Sequence, residues 1–117
     1  ERTEIERDIA NYIVIEHDGV IFGCGALYPY PEAHTGEMAA LTVSKDSQTQ
    51  GDGERMLKRI EQRAKVLGLQ SIFVLTTRTM HWFIKRGFQE VDPEWLPEAR
   101  KRKYNWDRRS KVLVKRF

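Results

Sequence analysis

A glycine-containing segment, SQTQGDGERML, lies directly before a helical pattern and is the first candidate for a ligand site. Its glycines leave the N–H groups of a helix start uncovered, and such groups bind phosphate. A Walker loop requires Lys-Ser/Thr after its last glycine, where this chain has Glu-Arg, and a dinucleotide fingerprint requires a third glycine, where it has Met56. The remaining pattern, Gln48-x-x-Gly51-x-Gly53, fits either another kind of phosphate-binding loop or an ordinary loop.

A single carboxylate, Glu37, interrupts the otherwise apolar segment TGEMAALTVS at residues 35–44. A carboxylate that is partly removed from water beside Met38 and Leu41 is suited to accept a proton. A carboxylate at the edge of a sheet, or one that pairs with a cation, explains the residue equally well. The sequence therefore leaves catalytic and structural roles for Glu37 open.

The charge is concentrated at the C-terminus. Residues 98–117 contain nine Lys or Arg and two acidic residues, a net charge of +7, so the first 97 residues carry −4 of the chain's total of +3. Such a segment predicts an anionic partner, which could be a nucleic acid, a phosphate-rich cofactor or a carboxylate substrate, or else a solvated basic surface. Aromatic and basic residues do not alternate as in RNA-binding signatures, so we expect no nucleic-acid partner.

The length and composition predict one globular domain. The chain has 117 residues, of which 40% are hydrophobic and 32% charged. It has no apolar run near the ~20 residues that span a bilayer, and no signal peptide, so we expect no membrane partner. Cys24 is the only cysteine, which suits a reducing cytoplasm. The three histidines lack metal-ligand spacing, so we expect no metal. Because the chain begins with Glu1 and not Met, we expect a fragment of a longer protein.

Hydrophobic periodicity predicts an α/β fold with an antiparallel start and a parallel middle. The Asp18-Gly19 turn predicts a hairpin whose second strand ends at Pro29 and Pro31. The other predicted elements are a short helix at 3–10, a strand at 35–44, a helix at 53–67 ended by Gly68, a strand at 71–77, a helix at 80–85 closed by Gly87, a strand at 88–91, an irregular or helical turn at 92–104 and a terminal strand at 110–117.

Two motifs resemble those of a known superfamily. The pattern Val43-x4-Gln48-x-x-Gly51-x-Gly53 and the later segment FIKRGF resemble the two signatures of the GNAT superfamily of N-acetyltransferases, in the right order and separated by a strand. The segments GALYPYPE, GEMAALTV, FVLTTRTMHWFIKRGF and KYNWDRRSKVLVK are similar to the C-terminal acetyltransferase domain of the bacterial N-acetylglutamate synthase family. This resemblance covers essentially the whole chain.

The resemblance implies a GNAT-type mixed and splayed central sheet with flanking helices, whose N-terminal strand and helices are partly missing here. Residues 1–117 would form one acetyltransferase domain, preceded in a longer chain by an amino-acid-kinase-like domain. The implied partners are acetyl-CoA as cosubstrate and L-glutamate, whose α-amine is acetylated by direct transfer in the first step of arginine biosynthesis. A cytoplasmic homo-oligomer is implied for the full-length protein.

The resemblance also implies site residues. Glu37 would be the general base, and the backbone N–H near Leu41 would polarise the thioester carbonyl. Leu41, Thr42 and Val43 would contact the acetyl-pantetheine arm. Arg2, Arg108 and Ser110 would bind glutamate, whose carboxylates suit arginine. The pyrophosphate would be held by the backbone of Gln48, Thr49, Gln50, Gly51, Asp52, Gly53 and Glu54.

One departure from the family pattern is Phe83, which stands where many GNAT enzymes have a tyrosine that protonates the departing thiolate. Thr76, Thr77 and Tyr104 are candidate substitutes, and Thr76 is preferred. Two other functions stay open. One is a GNAT enzyme with a different amine acceptor, and the other is a non-catalytic module that senses acetyl-CoA or arginine.

Overall fold

The computed structural model describes residues 4–9, 12–17, 20–43 and 52–117. In these residues a seven-stranded mixed sheet has the order β1-β2-β3-β4-β5-β7-β6. Its strands are β1 (Glu4–Ile9), β2 (Tyr12–His17), β3 (Val20–Tyr30), β4 (Thr35–Val43), β5 (Ser71–Thr76), β6 (Gln89–Val91) and β7 (Lys111–Arg116). The α-helices are α1 (Asp52–Val66), α2 (Met80–Ile84) and α3 (Glu98–Lys101), and 3-10 turns cover Pro31–Ala33 and Pro93–Trp95.

The helix predicted at residues 3–10 is wrong, because Glu4–Ile9 forms strand β1. This strand pairs antiparallel with β2 from Glu4↔His17 to Ile9↔Tyr12. The prediction used the spacing of Ile5, Ile9 and Ala10, but the step of four residues from Ile5 to Ile9 is two strand repeats as well as about one helical turn. Backbone pairing with β2 decides between the two periods.

The predicted end of the second strand is confirmed at Pro31 but wrong at Pro29, because β3 continues to Tyr30 and Pro29 stands opposite Gly36. Antiparallel ladders leave alternate residue pairs without hydrogen bonds, so a strand can include a proline at such a position. Pro31 then begins the 3-10 turn, and His34 closes it with a left-handed φ of 55°. The antiparallel pairing of β2 with β3 confirms the predicted hairpin.

The β4–α1–β5 crossover confirms the predicted parallel unit. The apolar stripe of α1 is buried at Met56, Leu57, Ile60 and Ala64. The helix ends in a Schellman arrangement, in which the N–H groups of residues 68 and 69 donate to the carbonyls of residues 65 and 64. The φ of +79° at Gly68 explains why a glycine stands there.

The sheet has two buried faces, because residues along β5 alternate between them. Ile72 and Val74 pack with α1 and α2 in one core. Phe73 packs on the other face in a second core with Leu96 and Tyr104, from the segment between β6 and β7. This segment, residues 92–110, contains the second 3-10 turn and α3, and thus covers the face opposite α1. The remaining predicted helices and strands are confirmed, with ends that differ by no more than one residue.

The core between the sheet and α1 predicts that two substitutions on α1 will differ greatly in their effect on the free energy of unfolding. Ile60 has 0% exposure and Val66 has 78%. Ile60→Ala should lower the free energy of unfolding by about 3 kcal/mol, since it leaves a cavity. Val66→Ala should change it by less than about 0.5 kcal/mol. Urea unfolding followed by circular dichroism measures both, and equal losses would contradict the packing described for α1.

Candidate active site

The central feature of the site is an opening between the parallel strands β4 and β5. Their register pairs in the described residues are Thr35↔Ser71, Gly36↔Ile72 and Glu37↔Phe73, although β4 continues to Val43 and β5 to Thr76. The join is reinforced by hydroxyls, since Ser71 Oγ donates to Thr35 Oγ1 at 2.8 Å and Thr35 Oγ1 donates to the Ser71 carbonyl at 3.2 Å.

A bulge accompanies this opening on the other side of β4. Ala26 pairs with Ala39 and Cys24 with Thr42, so β4 has one residue more than β3 over this stretch. The extra residue interrupts the ladder at residues 40–41 and bends the strand. Backbone N–H and C=O groups without a strand partner can bind an extended ligand as an added strand. Leu41, Thr42 and Val43, for which a backbone contact with the arm is predicted, lie in the part of β4 that has no register pair in β5 among the described residues.

Glu37 lies at the residue pair where the strands separate, and it is buried, with 8% exposure. Arg100, on α3, donates from Nε to Oε1 at 2.6 Å and from Nη2 to Oε2 at 3.3 Å. The side chain of Glu37 is 11% exposed and that of Arg100 is 17% exposed. A two-point guanidinium contact stabilises a carboxylate charge that the fold removes from water. Glu37 is thus an ion-pair partner, as the sequence allowed, and it also borders the opening.

Arg100 is the important side chain that sequence reasoning missed. It belongs to the run Arg-Lys-Arg-Lys, and nothing in that run distinguishes it from its neighbours. The contact spans 63 positions and depends on how residues 92–110 fold over the sheet. The buried Nη1 of Arg100 has no hydrogen-bond acceptor among the described residues.

Two tyrosines border the carboxylate. Burial raises the pKa of Tyr30, the negative charge of Glu37 raises it further, and the positive charge of Arg100 opposes the shift. The hydrogen bond that Tyr28 donates to Tyr12 raises the pKa of Tyr28, and burial, Tyr12 and Glu37 add to that effect. Both phenols therefore remain neutral near pH 7, so they add hydrogen-bonding groups beside Glu37 without adding charge.

The predicted phosphate loop falls partly outside the described residues, which omit Gln48, Thr49, Gln50 and Gly51. The remaining predicted positions, residues 52–54, form the first turn of α1. A Cβ atom added at Gly53 would lie 3.2 Å from Cζ2 of Trp82. Close packing against an indole ring is therefore a second reason for a glycine there, besides access for a ligand.

Three hydroxyl groups are candidates for the general acid. Thr76 Oγ1 accepts the N–H groups of residues 78 and 79, at 3.2 and 3.0 Å, and lies 2.8 Å from Thr79 Oγ1. Tyr104 donates its hydroxyl proton to the Ser110 carbonyl at 2.6 Å. Thr77 is exposed and directly follows β5. Thr76 shapes the turn into α2, and its role as an acid stays a prediction.

The predicted acceptor residues lie in two regions. Ser110 immediately precedes β7, whose first residue, Lys111, pairs with Thr76. Arg108, two residues earlier, is exposed. Both are thus close in sequence to the pairing at the carboxyl end of β5, the end toward which β4 and β5 separate. Arg2 lies outside the described residues.

Phe83 is buried, with 4% exposure, and its ring packs edge-on against Trp82 and Phe88 with centroids 4.9 and 5.2 Å apart. It is thus part of the core and has no hydroxyl to donate. The described residues include no group of three His, Cys, Asp or Glu side chains arranged to hold a metal ion. In the same part of the chain, no helix has the length and apolar character needed to cross a membrane.

A mixed sheet whose parallel central strands separate beside a crossover helix defines an acetyltransferase fold, and the comparisons agree. Residues 8–90 match the family model for the acetyltransferase (GNAT) domain. The chain belongs to the GNAT acetyltransferase family. The predicted α/β fold class, with its splayed mixed sheet and flanking helices, is confirmed.

Individual relatives give a more specific comparison than the family model does. The chain is 62% identical over 117 residues to the amino-acid acetyltransferase of Ralstonia nicotianae, covering 100% of this chain and 26% of that protein. N-acetylglutamate synthase from Neisseria gonorrhoeae, complexed with coenzyme A and N-acetyl-glutamate, has a TM-score of 0.86 and 42% identity, covering 92% of this chain and 26% of that one. The same synthase complexed with coenzyme A and L-arginine has a TM-score of 0.84, with 42% identity, 92% coverage of this chain and 25% of that one. The chain thus spans about a quarter of the length of these relatives.

The ion pair between Glu37 and Arg100 predicts that substitutions of Arg100 and of its neighbour Lys101 will differ in their effect on stability. Arg100→Met should lower the free energy of unfolding by about 3 kcal/mol, because it leaves the Glu37 carboxylate buried without its cation. Lys101→Met is the matched control, because Lys101 contacts only the exposed carboxylates of Glu94 and Glu98 among the described residues. It should change stability little. Chemical denaturation measures both, and equal effects would contradict a special role for Arg100.

Proposed function

We propose that this domain transfers the acetyl group of acetyl-CoA to the α-amine of L-glutamate, as the acetyltransferase part of an N-acetylglutamate synthase. The observation that carries the proposal is the opening between β4 and β5, which begins at a buried carboxylate. Family membership supports the chemistry. The names of the relatives and the bound coenzyme A and N-acetyl-glutamate of the Neisseria synthase support the two substrates.

In the proposed mechanism, the acetyl-pantetheine arm lies along the β4 edge and takes strand-like hydrogen bonds from its backbone. The N–H near Leu41 stabilises the negative charge that develops on the thioester oxygen. Residues 48–54 hold the pyrophosphate at the start of α1, where uncovered N–H groups favour an anion.

Glu37 is the proposed general base. It accepts a proton from the glutamate ammonium, directly or through water, so that the neutral amine can attack the acetyl carbon. The new C–N bond forms, the C–S bond breaks, and the CoA thiolate leaves with the electron pair. The amine nitrogen loses its second proton as the amide forms, and that proton reaches the thiolate through the hydroxyl of Thr76, the proposed donor, which is left neutral. Arg100 donates hydrogen bonds to both carboxylate oxygens of Glu37 and so holds the proposed base in place.

Arg2, Arg108 and Ser110 are the proposed ligands for the two carboxylates of glutamate. Arginine binds carboxylates through paired hydrogen bonds, and the net charge of +7 over residues 98–117 attracts a dianionic acceptor. The same charge disfavours a polyamine acceptor, because like charges repel. A non-catalytic sensor of acetyl-CoA or arginine is the rival function, and it is favoured by the buried Phe83 of α2, which has no hydroxyl to donate.

We propose that this domain works within a longer cytoplasmic chain. The chain covers 26% of the Ralstonia relative, which is compatible with a preceding amino-acid-kinase-like domain and with a homo-oligomer of the complete protein. For this reason the activity should be tested with the full-length protein.

The activity test follows the release of free CoA thiol when the full-length protein is mixed with acetyl-CoA and each amino acid in turn. We expect release that depends on L-glutamate and a product with the mass of N-acetylglutamate. Tight acetyl-CoA binding without release would favour the sensor, and release with a different amine would favour the alternative acceptor.

Glu37→Gln should lower kcat by about 100-fold or more, because the amide cannot accept the proton, with little change in the Michaelis constant for acetyl-CoA. Glu32→Gln is the matched control, since Glu32 is exposed on the turn before β4. Steady-state kinetics of the full-length variants separate the two. An unchanged kcat in Glu37→Gln would remove Glu37 from the mechanism.

Arg108→Ala should raise the Michaelis constant for glutamate by about tenfold or more, since it removes a charged hydrogen-bond donor, with a smaller effect on kcat. The exposed Lys103 provides the control variant Lys103→Ala, which removes the same charge from the same segment. If both variants changed glutamate kinetics equally, the effect would come from the general charge of the segment and not from a specific contact.

A further inference from the structure

Four residues form a cluster where α1 meets α2. Arg86 Nη2 contacts Glu54 Oε1 at 3.1 Å, and Arg86 Nη1 donates to the Trp82 carbonyl at 3.0 Å. The guanidinium carbon lies 3.9 Å from the centroid of the Trp82 ring. The same ring approaches Gly53 so closely that a Cβ atom there would be 3.2 Å from it. We call these residues the α1–α2 clamp.

The clamp fixes the start of α1 against α2. Trp82 packs on the backbone at Gly53, and Arg86 stacks on that ring at cation–π distance. Phe83 and Phe88 anchor the ring from the core side through edge-on contacts that run from Trp82 to Phe83 and on to Phe88. The first turn of α1 is therefore packed against a group of three aromatic rings.

The clamp also changes the net charge at the start of α1, because Arg86 pairs with Glu54. Glu54 lies in the first turn of α1, where a carboxylate interacts favourably with the helix dipole and thus opposes the binding of a second anion. The Glu54 side chain is 51% exposed, so its charge acts on groups in the adjoining solvent. A diphosphate at this helix start would be repelled by Glu54 unless a cation neutralised it.

We propose that Arg86 is a positioning residue for the cosubstrate, which acts by neutralising Glu54 and by holding Trp82 on Gly53, without touching the cosubstrate itself. The inference rests on the proposed function, because it takes the CoA pyrophosphate as the anion at the start of α1. The proposal gives the side chain of Arg86, in the second GNAT-like segment FIKRGF, a role of its own.

The experiment measures CoA binding to the full-length protein by calorimetry for the wild type, Arg86→Met, Glu54→Gln and the double variant. Arg86→Met should weaken binding by about tenfold, because a like charge then stands beside the diphosphate. The double variant should recover most of that loss, since the repelling carboxylate is gone. The loss in Arg86→Met should also shrink at high salt, where exposed charges are screened.

Two further variants separate charge from packing. Arg86→Lys keeps the charge and should retain CoA binding within about threefold of the wild type, even if the stack on Trp82 is weaker. Lys115→Met is the matched control, because it breaks an ion pair of 2.8 Å with Glu61, two turns further along α1. It should leave CoA binding unchanged while lowering stability.

The outcomes distinguish the two proposals. A wild-type protein that does not bind CoA would refute the proposed function and the clamp with it. A wild type that binds CoA, together with an Arg86→Met variant that binds equally well, would overturn the clamp alone. If the double variant remained as weak as Arg86→Met, and the deficit disappeared with dephospho-CoA, Arg86 would contact the 3′-phosphate directly and the proposed indirect role would be wrong.

Discussion

The separation of β4 from β5 after Glu37 is the constraint on which the rest of the structure depends. Parallel strands in the middle of a sheet normally pair along their length, because unpaired N–H and C=O groups are costly when they are buried. Here the described strands pair over three residues and then diverge. A bulge follows in β4 at residues 40–41, while β5 keeps a complete ladder with β7, so β5 loses pairing only on its β4 side.

The two faces of the sheet serve this opening differently. On one face, α1 packs its apolar stripe against the sheet, and its first turn faces the clamp from α2. On the other face, residues 92–110 bring Arg100 onto Glu37. A carboxylate of one strand is thereby linked to the basic segment in which the acceptor-binding residues are proposed. In the proposed reaction, Glu37 would thus lie between the donor site and the segment that binds the acceptor.

Local patterns in the sequence are sufficient for the elements that depend on local chemistry. The apolar stripe of α1 and the end of this helix at Gly68 follow from residues within or next to one element. The β2–β3 hairpin follows from two segments that are adjacent in the sequence. The strand β1 cannot be predicted in this way, because Ile5 and Ile9 fit both periods and only the pairing partner chooses between them. The family resemblance, and not periodicity, carries the prediction that the central strands separate.

The candidate site shows the same limit more sharply. Glu37 can be selected from the sequence because a charge in an apolar strand is unusual, and a cation is one of its expected explanations. Arg100 cannot be selected, since its distinction is a contact across 63 positions. Gly53 suggests access for a ligand, but the ring of Trp82, which would lie 3.2 Å from a Cβ atom at this position, gives the glycine a packing role as well. Both unexpected features are tertiary contacts between distant segments.

The short join at Thr35 and Ser71 has a wider consequence. The two halves of the sheet meet along three residue pairs, which a hydrogen bond between two hydroxyls reinforces. Beyond these pairs, the facing edges of the described strands β4 and β5 are not paired with each other. An extended cosubstrate arm lying there would act as a temporary strand, and the sheet would be whole only while it is occupied. In the proposed function, the acetyl-CoA arm would therefore be both a substrate and the strand that completes the sheet.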